Sequence, residues 1–80
     1  MIEVLLFGAA ADRAGTRKVH LAVEEPTTLA GVWPLLADRH PDLSSMRDTL
    51  AFAVNGEYAR AEAKVSPGDE VAVLPPVSGG

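Results

Sequence analysis

Cysteine is absent from the 80-residue chain. Disulfides, thiolate metal sites and cysteine nucleophiles are therefore excluded, and the composition suits a reducing compartment. A basic leader is also missing, and no hydrophobic run is long enough for a bilayer. The apolar stretch from Val4 to Ala11 opens behind Glu3 and stops at Asp12, whereas a membrane-spanning helix needs roughly 20 residues. A cytoplasmic protein without membrane association is expected. Positive charge is scarce, with 7 Lys and Arg against 11 Asp and Glu and a formal net charge of −4. Nucleic acid is a poor partner for such a chain, because binding it requires phosphate neutralisation. A partner protein with a basic docking face fits better.

Catalytic groupings are missing too. His20 and His40 are too far apart and too lightly accompanied to suggest a metal or a triad. His20 reads as a solvent-facing strand residue and His40 as a helix C-terminal residue favourable to the dipole. Ser44, Ser45, Ser66 and Ser78 lack an adjacent general base, and no glycine-rich phosphate loop surrounds Asn55-Gly56. The pairs Glu24-Glu25 and Asp69-Glu70 read as solvated turns, and Trp33 as a partly buried helix residue. No self-sufficient active site, metal site or tightly bound cofactor is expected.

What remains is one folded domain. Hydrophobic residues make up 48% and charged residues 22% of the chain, the balance of an ordinary globular protein. Ile2 to Phe7 reads as a strand. With Glu3 in solvent, period-two alternation turns Ile2, Val4 and Leu6 inward and Leu5 and Phe7 outward. Gly8 to Thr16, containing Asp12-Arg13 and Gly15, is expected to be a connection longer than a tight hairpin turn. Arg17 to Val23 alternates as an antiparallel partner, with Val19, Leu21 and Val23 inward and Lys18, His20 and Ala22 outward.

Glu24 to Thr28 is a turn into a helix capped by Thr28 or Thr27. Leu29, Val32 and Leu36 mark its buried stripe. Pro34 conflicts with that pattern, and predicts a helix that kinks or properly starts near it; His40-Pro41 ends it. Asp42 to Thr49 is an irregular crossing with a short helical turn around Ser45–Asp48. Leu50 to Val54 is a strand with Leu50, Phe52 and Val54 on one face. Asn55-Gly56 turns the chain into a short strand, Glu57 to Arg60. A brief connection over Ala61–Lys64 and a turn at Ser66–Asp69 lead to the last strand, Glu70 to Leu74, with Val71 and Val73 in and Ala72 and Leu74 out.

The order predicts an α+β domain over residues 1–74 with a mixed sheet packed on one main helix. A ubiquitin-like β-grasp fits, with the last strand beside the first in the sheet centre. Leu5, Phe7 and Leu74 then share an exposed face, with Tyr58 at its edge, and together they make a candidate docking surface.

Residues 75–80 are expected to form an extended tail. Pro75 and Pro76 cannot donate to a sheet ladder and favour a polyproline-like exit. Val77 and Ser78 lead to Gly79 and Gly80, which lack Cβ atoms and fit a slot too narrow for other residues. Six residues reach at most roughly 20 Å. The tip offers one reactive group, the α-carboxylate of Gly80.

Three stretches, Met1 to Phe7, Phe52 to Gly56 and Gly68 to Gly80, together resemble the small subunit of molybdopterin synthase, the MoaD family. The C-terminal block is the most specific part, and the likeness extends over essentially the whole chain. It implies a sulfur carrier of molybdenum cofactor biosynthesis rather than an enzyme in its own right. The Gly80 carboxylate would be adenylated by an ATP-using, ubiquitin-activating-like adenylyltransferase (MoeB-like). A sulfur donor such as a cysteine desulfurase would then supply the thiocarboxylate. The loaded tail, Pro75 to Gly80, would insert into the synthase large subunit (MoaE-like) within a two-plus-two heterotetramer. The likeness also implies partner contacts at Phe7, Tyr58 and Leu74. A ThiS-type carrier for thiamine synthesis and a ubiquitin-like modifier conjugated through Gly80 share the fold and the Gly-Gly end.

Overall fold

Parallel pairing of the two ends of the domain builds the centre of the sheet. A computed structural model describes residues 1–75, so Pro76, Val77, Ser78, Gly79 and Gly80 lie outside the described residues. Strand β1 (Ile2–Leu6) runs parallel to β7 (Glu70–Leu74) and antiparallel to β2 (Lys18–Leu21). On the other side of β7 come β4 (Ala51–Val54) and then β5 (Glu57–Ala59), both antiparallel to their neighbours. The order is β2-β1-β7-β4-β5, the mixed sheet of a ubiquitin-like β-grasp. One face is apolar and dry: Ile2, Val4, Leu6, Val71 and Val73 are each at most 2% exposed. Long branched side chains on alternate residues supply that face, as the period-two pattern requires.

The main helix α2 (Leu29–Arg39) closes this face with Leu29, Val32 and Leu36, all buried. Its first amides are fully accounted for. Leu29 N–H donates to Ala63 C=O and Ala30 N–H to Ala61 C=O, each at 3.0 Å, and Gly31 N–H donates to Thr28 Oγ1 at 3.2 Å. The orphan donors of a helix N-terminus are thus taken up by the N-cap and by the loop before β6 (Lys64–Val65). That two-residue strand pairs with β3 (Thr27–Thr28) in a small second sheet. The sequence shows only a connection there, because two residues are too few to show a period.

The helix neither starts at Pro34 nor stops before it; Leu29 to Arg39 is continuous. Proline at this place removes the donor to the Ala30 carbonyl, and both Pro34 and Ala30 are exposed, so water can take the lost bond.

A second correction concerns Gly8 to Thr16. The expected connection holds a helix, α1 (Gly8–Ala14), with Ala10 buried. Its alanine-rich sequence is a strong helix former, and Gly15 closes it in the left-handed conformation at φ +75, donating to Ala11 C=O at 2.9 Å. The crossing after α2 is also more regular than expected, a 3₁₀ helix over Pro41–Thr49 that buries Leu43. The strand expected over Leu50 to Val54 begins at Ala51, and Leu50, Phe52 and Val54 pack together against the core. Asn55 and Gly56 both take positive φ, +50 and +85, the primed turn that matches strand twist.

The last turn locks onto β7 through Asp69, whose carboxylate accepts Ser66 N–H at 2.8 Å. That bond first, and the Asn55 side chain second, hold its carboxyl below the ordinary 3.8, against a small opposing effect of burial.

Two outcomes follow from this frame. Pro34→Ala is expected to raise stability to urea by about 1–3 kcal/mol, since a donor returns to an unbroken helix while some unfolded-chain restriction is lost. Unchanged or lower stability would contradict a continuous helix. Asp69 titrates lower in the folded chain than in the unfolded one, so its contribution is present above the unfolded value and is lost as pH falls through the folded value. The stability gap between wild type and Asp69→Ala should be steady near neutral pH and shrink below pH 3.8 in urea titrations at stepped pH. A gap that stays constant through that range would rule the interaction out.

Candidate functional site

The face of the sheet turned away from α2 carries a graded surface. Register pairs Lys18 with Leu5, Leu5 with Ala72, Ala72 with Ala53, and Ala53 with Tyr58. These residues form one row across all five strands. Leu5 and Tyr58 stand three strand spacings apart, roughly 14 Å, with only alanine methyl groups between them. The result is a shallow apolar floor bounded by two larger side chains.

Tyr58 is 71% exposed and Phe7 44% exposed, while Leu5 and Leu74 are half-buried. Large exposed rings at the margin of an apolar floor are what a partner surface presents. Alternation had placed Leu5, Phe7, Ala72 and Leu74 on this side, and the register agrees. Ala53 was missed, although placing Leu50, Phe52 and Val54 on one face left it on the other. Phe7 stands one residue beyond β1, in extended conformation as the N-cap of α1. It shares with Leu5, Gly8 and Arg17 a groove of about 530 Å³ beside α1.

Toward the start of β1 the same face becomes polar. Glu3 lies next to Glu70 and His20. Its carboxylate meets Lys18 Nζ at 3.7 Å and His20 Nε2 at 3.3 Å. Exposed pairs of this kind contribute little stability, but they confine the apolar surface to the end of the sheet where β7 finishes. Pro75 follows there, the one tail residue among those described, and it is exposed.

Among the described residues no polar or charged side chain is buried, and no three His, Asp or Glu side chains are placed to hold a metal ion. His20 lies on the outer face and His40 caps α2, on separate elements. A smaller cleft of about 140 Å³ lies among Trp33, Phe52, Arg47 and Asp48. The Trp33 and Phe52 rings meet there edge to face at 5.6 Å, on the helix side of the sheet. No helix among the described residues is long and apolar enough to cross a membrane.

This geometry has counterparts. The sequence pattern of the ThiS family matches residues 4–80. The molybdopterin synthase sulfur carrier subunit of Homo sapiens is 37% identical over 82 residues, covering 99% of this chain and 93% of that protein. The crystal structure of the small archaeal modifier protein of Haloferax volcanii superimposes with a TM-score of 0.87 at 34% identity, covering 99% of this chain and 98% of that one. The fold also recurs, at 22% identity and a TM-score of 0.68, in a protein–protein complex of subunits 1 and 2 of the Helicobacter pylori molybdopterin-converting factor, over 99% of this chain and 97% of that one. With a family pattern and full-length relatives in agreement with the sheet order, the chain belongs to the ThiS family and is a relative of the molybdopterin synthase sulfur carrier subunits.

Proposed function

We propose that this chain is the sulfur carrier of molybdopterin synthesis, with the α-carboxylate of Gly80 as its reacting group. The observation that carries the reading is the position of the exit: the chain leaves the sheet at Pro75, beside an apolar face bounded by Phe7, Leu5 and Tyr58. The names of the full-length relatives support it.

The chemistry runs in two steps. A carboxylate is a poor electrophile because its oxygen is a poor leaving group, so the activating enzyme joins it to AMP from ATP and releases pyrophosphate. Sulfide attacks the acyl carbon directly and expels AMP, leaving a thiocarboxylate. Where the sulfur arrives as the persulfide of a donor such as a cysteine desulfurase, its attack expels AMP and leaves an acyl disulfide, which a thiol reduces to the thiocarboxylate. In the large subunit, this soft nucleophile attacks an oxygen-bearing carbon of the pterin precursor, forming a carbon–sulfur bond as the carbon–oxygen bond breaks and the oxygen leaves. Water later cleaves the acyl–sulfur bond, leaving sulfur on the pterin and restoring the carboxylate. Gly79 and Gly80 keep side chains away from the acyl carbon, so one tip enters two unrelated active sites. Pro75, Pro76, Val77 and Ser78 form the inserting arm, and Leu5, Phe7, Tyr58 and Leu74 dock the partner. ATP is consumed by the activating enzyme, and the carrier holds no cofactor of its own.

The likeness to the small archaeal modifier protein favours a second reading, in which activated Gly80 is joined to lysine amines of other proteins. Both readings share the activation step and differ in the acceptor.

Truncation and surface variants separate the tip from the handle. Deleting Gly80, or adding one residue after it, should abolish molybdopterin formation in a reconstituted synthase while large-subunit binding and thermal stability are retained. Tyr58→Ala should do the reverse, leaving Gly80 open to activation but weakening large-subunit binding roughly tenfold or more. Molybdopterin made at the wild-type rate by the Gly80-deleted chain would refute the proposal.

A further inference from the structure

Pairing between β1 and β7 stops at a definite place. Phe7 N–H donates to the Val73 carbonyl at 3.1 Å, one step past the Leu6–Val73 pair. The next donor of a parallel ladder would be the N–H of residue 75, and proline has none. The ladder ends, and the ring lies where a side chain on Gly8 would meet it. A Cβ built on Gly8 would lie 3.5 Å from both Cβ and Cγ of Pro75 and 3.8 Å from its Cδ. A methyl group would already touch the ring, and a longer side chain there competes for the ring's space. Gly8 also has φ +57, a conformation few side chains adopt.

We propose that Gly8 is a positioning residue, leaving open a seat for the Pro75 ring that sets the direction of the chain at Pro75. The inference rests on the reading of Gly80 as the reacting group. A tail with a reach of roughly 20 Å has little slack once its handle is docked. The effective concentration of the tip at the partner's reaction centre then depends on the direction of its base, and a misplacement of about 1 Å can cost on the order of a hundredfold in rate.

The molecule contains its own control. Gly15 also has positive φ, +75, but nothing lies within 4 Å of a Cβ built on it. Asparagine tolerates left-handed backbone better than most residues, so Gly8→Asn and Gly15→Asn carry the same kind of backbone cost. Only the first puts a side chain against the ring. The experiment is steady-state kinetics of Gly80 adenylation by the activating enzyme, followed by ATP–pyrophosphate exchange, with thermal unfolding in parallel.

The two variants should melt alike and keep the wild-type KM, because the docking face is intact. Gly8→Asn should lose about tenfold in kcat and Gly15→Asn nothing. Pro75→Ala, which empties the seat without touching Gly8, should show the same loss. The double variant Gly8→Asn/Pro75→Ala should be no slower than either single one, since both remove one contact. Equal kcat in Gly8→Asn and Gly15→Asn, or wild-type kcat in Pro75→Ala, overturns the seat while leaving the carrier reading in place. A wild-type chain that a competent activating enzyme does not adenylate overturns the carrier reading and the seat with it.

Discussion

Parallel pairing of the first and last strands is the constraint on which the rest of the structure depends. Val4 sits beside Val71 and Leu6 beside Val73, and all four side chains are at most 2% exposed. Burying each is worth about 1.5–3 kcal/mol, and the pairing joins residues from opposite ends of the chain. Parallel neighbours cannot be joined by a hairpin; the chain must cross over between them. Here the crossover contains α2, which supplies Leu29, Val32 and Leu36 to the face the pairing creates. The core and the central strands are thus one arrangement, and neither exists without the other.

The same constraint places the end of the described chain. Because β7 lies in the centre of the sheet, Pro75 emerges from its middle rather than from an edge. Among the described residues no helix covers the outer face, and it is apolar at the end nearest that exit and charged at the other. A handle and the start of an arm are thereby set side by side without any buried polar or charged side chain among the described residues. This suits a protein whose chemistry is completed in other proteins' active sites, and it matches the proposed division between a docking face and a single terminal carboxylate.

Much of this was legible in the sequence, and for identifiable reasons. The strands alternate strictly, so their inward and outward residues follow from a period of two, and Thr28 and Asn55-Gly56 announce a cap and a turn through their own chemistry. The misreadings lie where local signals compete. Gly8 to Thr16, with Asp12-Arg13 and Gly15 in it, reads as a connection longer than a hairpin turn, although its alanines form a helix that Gly15 caps. At Pro34 the cost of proline was weighed without the helix's exposure, which lets water replace the missing donor. The strands β3 and β6 have two residues each, too few for a pattern, and exist because tertiary packing brings them together. The seat at Gly8 was illegible for a different reason. It depends on where Pro75 lies relative to a residue 67 positions earlier in the chain (75 − 8), which no local pattern encodes.

The most direct test of the account is the intact mass of the chain after incubation with ATP, a competent activating enzyme and a sulfide source. The account predicts a gain equal to the exchange of one oxygen for one sulfur, mapped by fragmentation to Gly80. An unchanged mass, with the activating enzyme shown to work on another carrier, would contradict it.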